Sequence, residues 1–127
     1  MKLRYTILSV EDVAATLAFY DKAFGIRRRM LHDSGQYGEL DTGATTLSFT
    51  SLELMESLGK TPGRPQPHHP VFEIAFETDD VAADYAHAVA AGATPVQPPT
   101  EMPWGQTIAY VHDNNGFLVE ICSPVAA

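Results

Sequence analysis

A chain that contains half of itself twice must build the same half-domain twice, and this sequence does so. Asp12-Val13-Ala14-Ala15 returns as Asp80-Val81-Ala82-Ala83, 68 positions on. A second echo links Leu40-Asp41-Thr42-Gly43, running into Thr45-Thr46-Leu47-Ser48-Phe49, with a later segment. That segment is His112-Asp113-Asn114-Asn115-Gly116, running into Phe117-Leu118-Val119-Glu120-Ile121, with Ser48 and Glu120 72 positions apart. Two echoes in the same order at nearly one offset point to a duplicated module. Such a duplication is expected to build a pseudo-symmetric cleft between its copies, which is where function is to be sought.

Local patterns assign the elements. Leu3 to Val10 is β-branched and aromatic without a breaker, and so reads as a strand. Glu11 and Asp12 then place acidic groups at the start of a helix. Val13, Leu17, Tyr20 and Phe24 give it an apolar stripe, and Gly25 ends it as a left-handed cap. Ile26 to Leu31, Tyr37 to Asp41 and Thr45 to Ser51 read as strands, separated by turns at Ser34-Gly35 and Asp41-Thr42-Gly43. The second copy follows suit, with a strand over Val71 to Thr78, a helix over Val81 to Ala91 stopped by Gly92, a short strand over Thr94 to Gln97, and a loop marked by Pro98-Pro99 and Pro103. Strands over Thr107 to His112 and Phe117 to Cys122 complete it. Between the copies, Gly59 to Pro70 contains four prolines, which forbid helix and inner strand.

The predicted fold class is α+β. Tandem βαβββ modules, residues 1–58 and 71–127, are joined by the connector 59–70 in one domain, 1–127. They are expected to form a curled mixed sheet with helices on the outer face and a central cleft. Strand parity separates two faces. Leu8, Val10, Leu47, Phe49, Phe72, Ile74, Phe76, Phe117, Val119 and Ile121 form an apolar set that must pack the helices. Tyr5, Ile7, Thr46, Ser48, Thr50, Glu73, Ala75, Leu118, Glu120 and Cys122 form a mixed set suited to line the cleft.

Composition excludes several function classes. The formal charge is −8 at pH 7, which argues against nucleic acid and anionic membrane as partners. The single cysteine, Cys122, forbids an intrachain disulfide and fits a reducing compartment. No signal h-region or membrane-length apolar run is present, so a cytoplasmic location is expected.

Most short motifs carry little chemistry. Gly59-Lys60-Thr61 lacks the upstream glycine and strand of a phosphate-binding loop. His68-His69 lies in the connector with no second ligand at helical spacing, and His32, His87 and His112 are isolated. Cys122 reads as an inert buried thiol. Arg27-Arg28-Arg29 reads as an edge strand protected by charge, with an anionic ligand or a partner subunit as the alternative. Met102-Pro103-Trp104-Gly105-Gln106 puts the sole tryptophan in a loop before a strand, where it can stack on a flat ligand.

The duplication, the helix from Asp12 through Phe19-Tyr20 to Gly25, Trp104-Gly105, and Asp113-Asn114-Asn115-Gly116 followed by Glu120 together resemble the vicinal oxygen chelate superfamily. That superfamily includes glyoxalase I, extradiol dioxygenases, and fosfomycin- and bleomycin-resistance proteins. In its metal-dependent members, four pseudo-symmetric positions hold one divalent ion. By motif these fall here on Tyr5, Ser48, Glu73 and Glu120, and the repeat offsets pair Tyr5 with Glu73 and Ser48 with Glu120. A phenol, a hydroxyl and two carboxylates without histidine are a poor set for zinc, nickel or iron. The resemblance therefore implies a member without a metal or other cofactor, which binds an aromatic or amphipathic small molecule. Trp104, Tyr5 and Tyr110 would stack on the ligand, and Ser48, Glu73 and Glu120 would anchor it. A homodimer is the expected assembly. The alternative is a metal-dependent lyase, isomerase or dioxygenase in which Glu73 and Glu120 hold one divalent ion and are the catalytic residues.

Overall fold

The computed structural model describes residues 1–125, and positions 126 and 127 of the second module lie outside the described residues. Eight strands and three helices follow one another as β1 (Tyr5–Val10), α1 (Val13–Phe24), β2 (Arg28–Leu31), β3 (Tyr37–Leu40), β4 (Thr46–Ser51), α2 (Leu52–Ser57), β5 (Ile74–Glu77), α3 (Val81–Ala90), β6 (Thr94–Glu101), β7 (Thr107–His112) and β8 (Leu118–Cys122). The residues fall into two compact units, Met1–Arg64 and Pro65–Ala127, divided inside the proline-rich connector. Each unit forms a four-stranded mixed sheet, ordered β1-β4-β3-β2 in the first and β5-β8-β7-β6 in the second.

The repeat is reproduced in the hydrogen-bond register. Ile7 stands opposite Ser48 and Leu8 opposite Phe49 in the parallel β1–β4 pair. In the parallel β5–β8 pair, Ala75 stands opposite Glu120 and Phe76 opposite Ile121. Moving β1 by 68 positions and β4 by 72 maps one ladder onto the other. The caps repeat as well. The Asp12 carboxylate accepts from the Ala15 amide at 3.0 Å, and the Asp80 carboxylate accepts from the Ala83 amide at 3.0 Å. Each satisfies one of the free N–H groups of a helix start.

In the first unit the core lies between α1 and the apolar sheet face. Val13, Leu17 and Tyr20 of α1 are buried there with Leu8, Val10, Leu40, Leu47 and Phe49. The Tyr20 ring packs 5.2 Å from that of Phe49, centroid to centroid. Gly25, at φ 68°, closes α1 as expected: its amide donates to Asp21 O, and the Ile26 amide donates to Tyr20 O. Gly38 lets β3 run directly beneath α1. In the second unit Val81 and Ala88 of α3 are buried, with Ile108, Ala109, Val111, Val119 and Ile121 from the sheet.

Three local expectations are corrected. Residues Leu52–Ser57, unassigned from sequence, form a short helix capped by the Ser51 hydroxyl, which accepts from the Leu54 amide at 2.9 Å. The strand expected from Val71 begins only at Ile74, so Glu73 precedes it. Pro98-Pro99, expected in a loop, lie within β6. That strand is at the sheet edge, and its register shifts between Pro95 and Gln97 and between Gln97 and Thr100. An edge strand tolerates proline because its outward groups need no ladder partner. The triple-arginine segment does lead into an edge, with Arg28 and Arg29 in β2.

Candidate functional site

The face of each sheet away from its main helix carries the polar side chains. In the second unit, antiparallel pairing sets Tyr110 opposite Glu120 and Ile108 opposite Cys122. Alternation then places Ala109 and Val111 on the helix side, where both are fully buried. The Tyr110 hydroxyl donates to Glu120 Oε1 at 2.8 Å. The carboxylate of Glu73 is its second acidic neighbour. Burial, reinforced by Glu120 and then Glu73, holds the Tyr110 phenol well above the usual range. Tyr110 is therefore a neutral donor between two carboxylates at any ordinary pH. Three residues named from sequence, Glu73, Tyr110 and Glu120, are thus brought together.

Cys122 shares that face, buried with 7% of its surface exposed, and its thiol points to Phe76 O at 3.6 Å. Burial, with Glu120 and Glu77 adding to it, pushes the thiol up to about 11. It remains protonated at neutral pH. Trp104 lies in the turn between β6 and β7 and is 58% exposed. Its indole N–H donates to Gln106 Oε1 at 2.8 Å, while the Gln106 amide donates to Ser123 O at 2.9 Å. The ring is held in place with a face left open.

In the first unit, Tyr5 begins β1 opposite Thr46, half exposed, with the Arg4 guanidinium 5.4 Å from its ring centroid. Ser48 is fully buried on β4 between Ile7 and Glu39. Its hydroxyl sits beside the Tyr37 phenol without a hydrogen bond of normal geometry, and the Thr46 hydroxyl is likewise buried and unpartnered. Two residues not singled out from sequence dominate this face. The Tyr37 hydroxyl donates to Glu39 Oε2 at 2.8 Å, and Arg29 Nε lies 3.8 Å from Glu39 Oε1. Burial raises the Tyr37 phenol, Ser48 opposes the shift, and Glu39 adds to it. Each unit therefore holds one carboxylate by a phenol, through different strand positions. The available signal was parity: Tyr37 and Glu39 are two residues apart and so share a face.

The family model described as "Glyoxalase/Bleomycin resistance protein/Dioxygenase superfamily" matches residues 2–121. The chain belongs to this superfamily. Solved structures share the fold. A glyoxalase-related enzyme from Fulvimarina pelagi superposes with a TM-score of 0.82 at 23% identity, covering 97% of this chain and 88% of its own. A glyoxalase/bleomycin resistance protein/dioxygenase family enzyme from Burkholderia phytofirmans PsJN gives 0.79 at 26% identity, covering 99% and 100%. TioX from Micromonospora sp. ML1 gives 0.73 at 23% identity, covering 97% and 98%. No curated protein matches the chain. No helix among the described residues is long and apolar enough to cross a membrane.

The four positions picked out from sequence, Tyr5, Ser48, Glu73 and Glu120, fit a metal poorly. Among the described residues, no three His, Cys, Asp or Glu side chains gather so as to hold an ion. Glu120 already accepts from Tyr110, and Cys122 stays a thiol. Imidazole is absent from the set, since the ring of His112, the nearest in register, contacts Pro67 O at 3.1 Å. Such donors do not suit ions that favour imidazole or thiolate.

Proposed function

We propose that this superfamily member binds an aromatic or amphipathic small molecule on its mixed strand faces, without a metal ion and as a homodimer. The observation that carries the reading is the convergence of Glu73, Tyr110 and Glu120 on the face of the second sheet that its helix leaves free. A neutral phenol between carboxylates gives directed hydrogen bonding. Leu118 on the same face adds apolar surface, and Trp104 offers an open ring. A few polar groups on an apolar lining is the usual composition of a ligand site. In the first unit Tyr5 supplies a half-exposed ring, and the Ser48 hydroxyl beneath the surface is without a hydrogen-bond partner of its own. The homodimer is supported by Tyr5 and Ile7, large side chains left exposed on an edge strand.

Trp104 is the only tryptophan, so its emission reports on a single place. Titration with 1-naphthylmethanol, a neutral aromatic, is expected to change that emission saturably. Calorimetry should show weaker binding in Trp104→Ala and in Tyr110→Phe. Unchanged affinity in both variants would defeat the reading. Stoichiometric divalent metal that survives dialysis and is lost in Glu120→Gln would replace it with the metal-dependent alternative. A single monomeric species in sedimentation at micromolar concentration would remove the homodimer.

A further inference from the structure

We infer that the ligand recognised by the second module is an organic cation. The inference rests on the proposed reading of that face as a ligand site and concerns only which ligands it selects. Charge is divided unevenly along the chain. All eight Lys and Arg residues lie within residues 1–64, where eight Asp and Glu offset them. Residues 65–127 carry the other eight of the 16 acidic residues and no Lys or Arg. The whole formal charge of −8 therefore belongs to the second unit.

That imbalance reaches the candidate site. Glu120 and Glu73 flank Tyr110, and Glu77 stands opposite Cys122 in the β5–β8 ladder. A phenol and a thiol, both uncharged donors, lie beside these carboxylates. In the first module the matching face is balanced, because the Glu39 carboxylate has the Arg29 guanidinium 3.8 Å away. Both modules thus hold a carboxylate by a phenol, at different strand positions, and only the first supplies a counter-charge. A half-buried carboxylate gains most from a cation that arrives with the ligand, and the field of a module without Lys or Arg favours its approach. The exposed Trp104 ring suits the same chemistry, since the face of an indole attracts cations. An anionic ligand meets repulsion from the same groups.

The test uses three probes that share one ring system: 1-naphthylmethylammonium, 1-naphthylmethanol and 1-naphthylacetate. Calorimetric titration of the full chain is run at about 0.01 M and about 0.15 M ionic strength, where the screening length is roughly 30 Å and roughly 8 Å. At low salt the ammonium is expected to bind about tenfold more tightly than the alcohol, the size of one or two partly exposed ion pairs. The acetate should bind most weakly. The ratio of ammonium to alcohol affinity should shrink at the higher salt and fall to parity in a Glu73→Gln, Glu120→Gln double variant. Equal binding of ammonium and alcohol, or an advantage that persists in the double variant, overturns the cation inference and leaves the binding reading standing. Failure of all three probes to bind overturns the binding reading itself, and the inference with it.

Discussion

Gly38 tests the packing that sets the first module's polar face. It lies on β3 between Tyr37 and Glu39, turned toward α1 while they face away. A Cβ built there would stand 2.6 Å from Leu17 Cδ1, 3.1 Å from Val13 Cγ1 and 3.2 Å from the Met30 carbonyl oxygen. Carbon contacts settle at about 3.5–4.0 Å, so Leu17 must retreat by roughly an ångström. Leu17 and Val13 are 2% and 1% exposed, which leaves them no free space. Overpacking of this kind costs about 1–3 kcal/mol. Loss of chain entropy in the unfolded state offsets about 0.4–1 kcal/mol of that. Gly38→Ala is therefore expected to destabilise by about 1–2 kcal/mol. For a chain of this size that lowers Tm by roughly 3–6 °C per kcal/mol. Urea denaturation should show a lower midpoint with an unchanged slope. Trimming the neighbour identifies the mechanism: Gly38→Ala combined with Leu17→Ala should cost less than the sum of the two single changes. A midpoint for Gly38→Ala equal to or above that of the parent would refute the close-approach argument, and strict additivity would show that Leu17 is not the clash.

Two further outcomes are expected. Asp113 is 5% exposed, and its Oδ1 accepts from the amides of Asn115 at 2.8 Å and Phe117 at 2.9 Å. Asp113→Ala strands both donors and should cost about 1–3 kcal/mol in thermal denaturation, so an unchanged Tm would contradict that role. The Cys122 thiol, pushed from 9.0 up to about 11, should make stability fall with alkali. Below its unfolded value both states are protonated and the stabilisation is complete; above it the unfolded chain loses the proton first, and stability declines until the native thiol also ionises. The loss between pH 9 and 11 is at most about 2–3 kcal/mol. Cys122→Ala should flatten that part of the profile, and an identical alkaline profile in the variant would contradict the assignment.

Much of the fold was legible in the sequence because the duplication fixes several levels at once. Asp12 and Asp80 cap corresponding helices, and the offsets of the two echoes reproduce the cross-strand register of Ser48 with Ile7 and of Glu120 with Ala75. What escaped was whatever the repeat does not contain. Leu52–Ser57 is too short to display a helical period and has no counterpart after β8 among the described residues. Pro98 and Pro99 argue for a loop until β6 is known to be an edge strand. At the site, parity was enough to gather Glu73 and Glu120, and the structure adds the Tyr110 hydrogen bond that holds Glu120. Tyr37 and Glu39 were missed because the equivalent arrangement in the second copy uses Tyr110 and Glu120 on neighbouring strands, so no echo marks them.

The central claim is that the mixed face of the second sheet is where a ligand sits. The most direct measurement is an NMR titration of isotopically labelled full-length protein with 1-naphthylmethylammonium. The account predicts saturable shifts concentrated at Trp104, Tyr110, Glu120 and Cys122, with Ala88 of α3 unaffected. Shifts centred on α3 and the apolar face, with Tyr110 and Glu120 unmoved, would contradict it.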